Sequence, residues 1–466
     1  MNFKKVVAMI AAAVQLFSAA AIAEDGNANK AAAVDETSGQ EVIEQEQEVP
    51  ADELRVYVSE NGSDSNDGSF QKPLKNITTG ISKGAQLKNN NPDKTVSVNI
   101  RGGDYYITSG IKLNTSGTPG HPFVIQAYNN EKVNIKGSKR LNPRNFQPLK
   151  DKAVLAKIPS EARKHIGVYK LSEIGSDVGE FTGQNSSIGT TAFIVNDSAQ
   201  TLAKYPNNEK DTISKVHGNT SFSGNLSESR MARWKTAETA YISGYFGVEY
   251  SFSDIKLASI DDKINITERP YYGLGANNRF FIQNLIEELD NPGEYYIDRI
   301  NKLLYYYPQY SLGNADMEIS TMIDDMIYAN GLSYVTIKGL GLKNSRKNGI
   351  NVIKSNNIII DGCIIENLGM SGIVMSECSN SKIINCDIAK LESKGIQVSG
   401  GDRQTLTRAD ILIENNHIYD FARRVRVYNP GIELNGVGIT VLHNLIHDST
   451  SQGIMLTGNE MTIKYN

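Results

Sequence analysis

The last third of the chain repeats a pattern of apolar and polar positions. From Met322 to Asn466, short runs rich in Ile and Val alternate with clusters of Asn, Gly and Ser. Such runs predict short strands, and the polar clusters predict turns. A Gly-Ile pair recurs at spacings of 23, 23, 36 and 22 residues, beginning at Gly349, Gly372, Gly395, Gly431 and Gly453. Periods of about 20 to 50 residues are typical of solenoids.

A second column of residues has nearly the same period. It contains Cys363, Cys386, Asn416, Asn444 and Asn466. The repeats contain no segment of helical length and no Leu-x-x-Leu-x-Leu frame, so the pattern predicts a parallel β-helix with one coil per period. Stacked coils would let the asparagines share amide hydrogen bonds and would bury the cysteines as small groups. A bridge between Cys363 and Cys386 is possible in principle, but burial does not require oxidation.

The region before these repeats also contains segments whose residue pattern predicts β-strands. Segments such as TVSVNIRGGDYYI and GHPFVIQAYNNEKVNIKG alternate like half-buried strands. From Leu141 to about Ser320 the strands lose their period, and Gly, Pro and Asn punctuate them. We therefore predict an all-β, right-handed parallel β-helix with a β-rich insertion. Residues 54–140 would form the cap and first coils, residues 141–320 the insertion, and residues 321–466 the later coils.

The first residues predict export. Lys4 and Lys5 precede an apolar run that ends in Ala21-Ile22-Ala23, which is typical of a signal peptide over residues 1–23. Residues 24–53 are acidic and poor in aromatics, which predicts a disordered linker. Removal of the two lysines leaves 46 basic and 52 acidic residues, a net charge of −6. That balance does not favour nucleic acid or a membrane as partner. We expect a secreted or periplasmic protein, and three cysteines do not make a disulfide framework.

Alternation along the Gly-Ile strands identifies candidate surface residues. The Ile of each pair would point inward, and the next residue outward: Asn351, Val374, Gln397, Glu433 and Met455. A second outward column contains Asn435. Glu433 is the only charged residue in these two columns, so we predict a catalytic role for it and substrate binding by Asn435. The alternative is that Glu433 is a solvated surface carboxylate.

The longest turn between coils supplies further candidates. It contains Arg424, Arg426 and Tyr428, and long turns of solenoids form the walls of clefts. The next coil adds His447, Asp448 and Gln452. Alignment of the coils places Asp420 and Asp448 at equivalent corners. A His-Asp pair suits acid/base chemistry, so we predict catalytic roles for His447 and Asp448 and substrate binding by the rest. A capped corner is the structural alternative, and no metal site is predicted.

Several segments carry a resemblance to a known family. SAQTLAKYPN, MARWKTAETAYISGYF, NLIEELDNPGEYYIDR and the final forty residues resemble secreted bacterial right-handed β-helix proteins, and within these they are similar to glycoside hydrolase family 141. The resemblance implies hydrolysis of glycosidic bonds in plant-type glycans by two carboxylates. Related proteins continue with further coils beyond the strand that ends in Asn466. We therefore expect this chain to be an N-terminal fragment, with a partner acid beyond Asn466.

Three functions stay open at this level. A glycosidase needs two carboxyl groups about 5–5.5 Å apart for retention of configuration, or about 6.5–9.5 Å for inversion. A polysaccharide lyase on the same fold would use Arg424 or a neighbour as base, with acids that hold calcium. A non-catalytic glycan-binding β-helix is the third possibility. In each case we expect the partner to be a polysaccharide or oligosaccharide and the protein to be a monomer. We expect no cofactor, except calcium if the protein is a lyase.

Overall fold

The computed structural model describes residue 46 and residues 48–175, 177–208, 210–237 and 239–466. The signal peptide predicted at residues 1–23 lies outside the described residues, as does most of the linker predicted at residues 24–53. In these described ranges no helix is long and apolar enough to cross a membrane.

The described chain winds into a right-handed parallel β-helix, as predicted. Three parallel sheets, A, B and C, form its sides. Sheet A contains Glu53–Val58, Thr95–Ile100, Phe123–Ala127, Ser333–Lys338, Asn356–Asp361, Lys382–Ile384, Ile411–Glu414, Ile439–Leu442 and Thr462–Lys464. Sheet B contains Gly103–Tyr106, Val133–Lys136, Leu340–Ser345, Ile364–Leu368, Asp387–Leu391, His417–Tyr419 and Leu445–His447. Sheet C contains Ile111–Leu113, Ile327–Asn330, Ile350–Ile353, Ile373–Ser376, Ile396–Gly400, Ile432–Val437 and Ile454–Asn459.

The repeat columns of the sequence are columns of paired residues in sheet C. Its register joins Ile350, Ile373, Ile396, Ile432 and Ile454, one in each coil. The first four of these side chains are fully buried in a core that runs along the whole helix. Burial of one such side chain contributes about 1.5–3 kcal/mol. The next residue of each strand, Glu433 among them, faces outward because successive side chains alternate across a strand.

The asparagine column forms the predicted ladder between sheets A and B. Asn416 Nδ2 donates to Asn444 Oδ1 at 2.9 Å, and Asn444 Nδ2 donates to Asn466 Oδ1 at 2.8 Å. Asn416 Oδ1 in turn accepts the backbone N–H of Cys386 at 3.0 Å. Cys363 and Cys386 are buried free thiols. Each buried amide is therefore satisfied by the coil next to it, which fixes the stacking register.

A helix closes the first end of the core. Ile77–Asn90 packs against the first strands of sheet A and contributes Ile77 and Ile81 to the core. Its approach is close: a Cβ atom on Gly80 would lie 2.3 Å from Val58 Cγ2. The helix also buries Lys88, whose Nζ donates to three backbone carbonyls at 2.7–3.0 Å. Gly80, which has no side chain, therefore allows the helix to lie this close to sheet A.

The insertion leaves the β-helix after sheet B of the second coil. Its neck is a pair of antiparallel strands, Ser138–Leu141 and Met317–Ser320. Beyond the neck, the described residues form the strands Gln147–Pro148, Gly167–Lys170, Phe193–Val195, Ser198–Ala199, Thr201–Leu202, Lys204–Tyr205, Asp211–Thr212, Lys215–Val216, Ser221–Ser223, Tyr241–Tyr245, Phe252–Ile260, Ile264–Ile266, Arg279–Gln283, Glu294–Asp298 and Leu303–Tyr306. They also form the α-helices Lys152–Lys157 and Glu228–Trp234 and several short 3-10 helices. They form their own apolar cores around Trp234 and Phe193.

Two buried arginines hold the insertion against the coils. Arg346 donates to the carbonyls of Gly189 at 2.9 Å and Val178 at 3.0 Å. Arg424, in a later coil, donates to the Gly183 carbonyl. Because hydrogen bonds from charged groups contribute about 1.5–3 kcal/mol each, the insertion is anchored in a defined position above the turns between sheets B and C.

One buried carboxyl group in the insertion gives a pH-dependent prediction. Glu294 is buried and accepts the backbone N–H groups of Asp290 and Asn291 at 3.1 Å. Burial raises the pKa of Glu294 to about 8. The folded state therefore holds a proton that the unfolded state releases near pH 4.5, so the free energy of unfolding falls as pH rises through this window. We expect Glu294→Gln, which has no charge to desolvate, to gain stability relative to the parent between about pH 5 and pH 8.

Urea unfolding at pH 5, 7 and 9 measures this difference. Glu414→Gln, on the outer face of sheet A, is the matched control and should show no such trend. A stability difference for Glu294→Gln that is independent of pH would contradict the prediction.

Candidate functional site

A cleft of about 580 Å³ lies between the insertion and the turns that connect sheet B to sheet C. Its described lining combines charged, amide, hydroxyl and aromatic side chains. The coils contribute Asn367, Lys390, Glu392, Asp420, Arg423, Arg424, Arg426 and Asp448, and the insertion contributes Phe181, Lys204, Phe252, Asp254, Phe281, Gln283 and Tyr295. A cleft of this size accommodates a small oligosaccharide segment.

The floor of the cleft is a column of corner residues. The register of sheet B pairs Glu366, Ala389, Tyr419 and His447 in successive coils. The residue after each of these turns the corner in a left-handed conformation, with φ between 48° and 56° at Asn367, Lys390, Asp420 and Asp448. Asn and Asp adopt this conformation more readily than most side chains. The local sequence therefore fixes the corners and aligns their side chains in the cleft.

Asp420 and Asp448 are the two carboxylates of this column. They occupy equivalent corners of adjacent coils, and neighbouring strands lie about 4.8 Å apart. The two carboxylates have different partners: Asp420 Oδ1 lies 3.7 Å from Arg423 Nε, whereas Asp448 Oδ2 lies 2.9 Å from His447 Nδ1. Both side chains keep solvent exposure, 46% for Asp420 and 80% for Asp448. A ligand in the cleft can contact both.

A chain of side chains leads from Asp448 across sheet B. His447 Nε2 lies 2.8 Å from His417 Nε2, and His417 Nδ1 lies 3.2 Å from Asp387 Oδ2. The Tyr419 ring stacks with both imidazoles, at centroid distances of 4.3 and 5.4 Å. With each Nδ1–H directed to a carboxylate, the contact between the two Nε2 atoms is a hydrogen bond when one of them carries a proton. The chain can therefore hold one shared proton behind Asp448.

A third carboxyl group lies on the wall of the cleft that the insertion supplies. Asp254 accepts hydrogen bonds from Ser243 Oγ at 2.5 Å and from the backbone N–H of Gln184 at 2.9 Å. Burial raises the pKa of Asp254, and the nearby Glu392 carboxylate adds to this, while the hydrogen bonds and Arg424 oppose it. A carboxyl group with a raised pKa in a cleft is a candidate general acid.

Glu392 is the fourth carboxylate of the cleft. It forms an ion pair with Arg424, whose Nε lies 3.3 Å from Glu392 Oε2. The Arg424 side chain is only 6% exposed and also bonds the Gly183 carbonyl. Most of its donors are therefore engaged within the protein, which makes Arg424 a structural link between coil and insertion.

Four exposed tyrosines lie together beside the long turn. Tyr250 and Tyr271 both contact Tyr272, at centroid distances of 5.8 and 4.8 Å. Tyr428 of the long turn is a further neighbour of the Tyr272 phenol. All four rings are exposed, from 47% for Tyr272 to 82% for Tyr271. Exposed tyrosine rings combine an apolar face with a hydroxyl group, which suits contact with sugars.

The structure places five of the eight predicted site residues in or next to the cleft and the other three away from it. Asp448, Arg424 and Arg426 line the cleft, and Tyr428 is part of the tyrosine cluster beside it. His447 lies behind Asp448. Glu433 lies on the outer face of sheet C, where Lys394 Nζ contacts its carboxylate at 2.6 Å. Asn435 follows Glu433 on the same outer face, and Gln452 is exposed in the last turn, where Ser451 Oγ contacts it at 2.6 Å. These three do not line the cleft.

Two carboxyl groups of the cleft were not predicted from the sequence. Glu392 follows a sheet B strand by one residue, and its only signal is its position near the corner column. Asp254 belongs to an aperiodic strand of the insertion, which pairs with Tyr241–Tyr245. Its place opposite the coils depends on the fold of the whole insertion, for which the sequence shows no repeat.

The described residues contain no group of three or more His, Cys, Asp or Glu side chains that could hold a metal ion. His417 and His447 approach each other through Nε2, but their carboxylate partners bind the opposite nitrogens. The donor set for calcium that the lyase interpretation requires is therefore not assembled in this part of the chain.

Comparison with known proteins identifies the fold. The family described as "Right handed beta helix region" matches residues 314–466. A solved structure described as "Glycoside hydrolase" superposes with a TM-score of 0.59 and 13% identity, over 88% of this chain and 95% of the other. At this level of identity the likeness shows a shared fold.

Two curated proteins match shorter segments. The pectate lyase PEL9 of Emericella nidulans is 37% identical over 82 residues, which are 18% of this chain and 18% of that protein. The uncharacterized protein YwoF of Bacillus subtilis is 33% identical over 126 residues, 24% of this chain and 25% of that protein. This chain therefore covers a quarter or less of either relative.

Proposed function

We propose that this chain is a glycoside hydrolase that cleaves a polysaccharide or oligosaccharide in the cleft between the insertion and the coils. The observation that carries the proposal is the pair Asp420 and Asp448. These carboxylates share the floor of the cleft at equivalent corners of adjacent coils, and their partners differ. Two carboxyl groups in different surroundings, close enough to act on one bond, are what glycosidic hydrolysis requires.

The partners of the two carboxylates suggest their roles. Asp420 Oδ1 lies 3.7 Å from Arg423 Nε, a contact that orients the carboxyl group at its corner, so we assign Asp420 as nucleophile or base. Asp448 contacts His447, which connects it to His417 and Asp387. We assign Asp448 as the acid/base group, with the imidazole pair as its route for proton exchange. Because neighbouring strands lie about 4.8 Å apart, carboxyl groups at these two corners can reach the separation of about 5–5.5 Å that retaining enzymes use.

The lining of the cleft supports a glycan as substrate. Phe181, Phe252 and Phe281 of the insertion offer apolar surface, and charged and amide side chains line the same cleft. Such a mixture matches sugars, whose rings present apolar C–H faces and polar edges. The four exposed tyrosines beside the long turn would extend the contact to further sugars of a polymer. Secretion and membership of glycoside hydrolase family 141, both expected from the sequence, belong to this proposal.

A polysaccharide lyase is the second candidate. Burial lowers the pKa of Lys204, which lines the cleft, and a lysine with a lowered pKa can serve as the base of an elimination. PEL9, one of the partial relatives, is described as a pectate lyase. The lyase is the second candidate because the described residues do not form the cluster of acidic side chains that would hold calcium.

Product analysis on a panel of plant polysaccharides tests the proposal. The chain is incubated with each glycan, and the products are examined by mass spectrometry and ultraviolet absorbance. A gain of one water per cleavage, without new absorbance, is expected for the hydrolase. Unsaturated products would establish the lyase instead. Glycan binding with no cleavage, by this chain and by the longest natural form, would contradict both and leave a binding protein.

A further inference from the structure

One end of the cleft is lined by two cations that rest on aromatic rings. Lys204 Nζ lies 5.8 Å from the centre of the Phe281 ring, and Arg426 Cζ lies 5.5 Å from that of Phe252. The two rings are themselves 6.3 Å apart. Lys204 comes from a short strand of the insertion and Arg426 from the long turn between coils. The two halves of the molecule therefore bring positive charge together at this end.

These two cations differ from the others in the cleft. Lys390 pairs with Glu366 at 3.0 Å, Arg423 with Asp420 at 3.7 Å, and Arg424 with Glu392 at 3.3 Å. Within the described residues, neither Lys204 nor Arg426 forms an ion pair with a carboxylate. A cation over a ring face gains attraction from the ring, but its charge is not neutralised. Lys204 and Arg426 are therefore the two cations in the described lining of the cleft whose charge no carboxylate balances.

The surroundings add to the positive potential. Lys210 lies over the Tyr245 ring at 5.1 Å, and that ring contacts Phe252. Burial lowers the pKa of Lys210, and the charge of Arg426 lowers it further. Burial also lowers the pKa of Lys204, and the charge of Arg426 acts in the same direction. The Glu294 carboxyl group is close enough to act on Lys204, but its pKa of about 8 leaves it largely protonated at neutral pH. An anion at this end would relieve the repulsion.

We infer that Lys204 and Arg426 form a subsite for the carboxylate of a uronic acid residue in the substrate. Arg426 supplies a planar donor pair and Lys204 a point charge, which together suit a carboxylate. Phe252 and Phe281, which line the same end, would contact the apolar face of the sugar ring. The inference rests on the proposed function for the choice of a sugar acid, whereas the anion site rests on the geometry alone.

Binding of matched oligosaccharides tests the subsite without any need for cleavage. Isothermal titration calorimetry at low salt compares an oligogalacturonate with its methyl ester, which has the same sugars and no charge. The acid form is expected to bind about 10- to 100-fold tighter, the range for a charge-assisted contact. Lys204→Met and Arg426→Met should each remove most of that preference and leave the affinity for the ester unchanged. Added salt should weaken only the acid form.

Two further arms make the result decisive. Lys382→Met, an exposed lysine on sheet A, is the matched control and should bind like the parent. An oligosaccharide of neutral sugars in which one hydroxyl group is a sulfate ester separates the two sources of negative charge, and a preference for it over the uronate would overturn the assignment to a carboxylate. Equal affinities for acid and ester, with variants whose thermal midpoints match the parent, would overturn the subsite itself.

Failure of the two proposals can be told apart. Loss of the acid preference in both variants, in a chain that cleaves no glycan, would sustain the subsite and contradict the hydrolase. Hydrolysis of neutral glycans without any charge preference would sustain the hydrolase and contradict the subsite.

Discussion

Asp420→Asn and Asp448→Asn are each expected to lower kcat by about 10²- to 10⁴-fold, the contribution of a positioned acid or base. Both side chains are solvent-exposed in the cleft, and an amide preserves their size and their left-handed corners. The thermal midpoint should therefore change by no more than about 2 °C, as for other surface substitutions. Initial rates on the most rapidly cleaved glycan, with calorimetry of substrate binding, measure the two effects separately.

Substrates with an activated leaving group distinguish the two roles. An aryl glycoside with an acidic phenol needs no protonation of the departing oxygen. Asp448→Asn should therefore retain far more activity on this substrate than on the glycan, whereas Asp420→Asn should be impaired on both. If both variants fail alike on the aryl glycoside, the assignment of Asp448 as acid is wrong. If Asp420 acts as nucleophile, we expect retention of configuration, which proton NMR of the first product anomer would reveal.

The same assay decides between these corners and the other carboxylates. Asp254→Asn tests the wall acid with the raised pKa, and Glu392→Gln tests the partner of Arg424. Glu433→Gln tests the carboxylate predicted from the sequence, which pairs with Lys394 outside the cleft. We expect Glu433→Gln to retain activity like the control Glu414→Gln. A loss at Glu433 as large as that at Asp448, without a fall in stability, would instead place the chemistry on sheet C.

The features that could be predicted from the sequence are those that repeat in each coil. The Gly-Ile pairs and the asparagine column were visible because each coil buries the same side chains at the same period, so local sequence determines global register. The equivalence of Asp420 and Asp448 was visible for the same reason. The sequence could not show which face of the β-helix carries a cleft. That depends on the insertion, whose short aperiodic strands pair with partners distant in the chain.

The charged groups of the cleft show this limit most clearly. Glu433 was the only charge in its outward columns, and its outward position is correct, but the insertion lies over the turns after sheet B instead. Asp254 and Lys204 reach the cleft only through the strands Phe252–Ile260 and Lys204–Tyr205. No period aligns these strands with the coils. Long-range pairing of this kind is set by the tertiary fold, so a pattern in one sequence cannot locate it.

The largest expected effect on stability concerns the neck of the insertion. Glu318 is buried there and binds four side chains: Lys136 at 2.6 Å, Ser138 at 2.6 Å, Asn344 at 2.6 Å and Tyr106 at 2.9 Å. These partners belong to the first three coils and to the neck itself. Burial opposes the charge, yet the bonds from Lys136, Ser138 and Asn344 keep the pKa of Glu318 below its ordinary value. One carboxylate thus joins the insertion to the β-helix.

We expect Glu318→Gln to lower the free energy of unfolding by about 3–5 kcal/mol, because it leaves Lys136 buried with only partial compensation from Asp104 and the more distant Asp316. Replacement of both partners, Lys136→Met with Glu318→Leu, should cost less than the single change, since no buried charge is then left unpaired. Asp410→Asn, an exposed carboxylate that pairs with Arg408 at 2.9 Å, is the control and should cost less than about 1 kcal/mol. Urea unfolding of the four proteins measures these values.

The pH dependence of the same variant supplies an independent check. A depressed pKa means that the contribution of Glu318 is complete above the ordinary pKa of glutamate, about 4.3, and is lost as pH falls through the lower folded value. Lys136 has a raised pKa, so its contribution is complete below about pH 10. The stability gap between parent and Glu318→Gln should therefore be constant from pH 5 to pH 9 and shrink below pH 4. A gap that persists in acid would show that Glu318 acts through packing, because protonation removes the charge and leaves the shape.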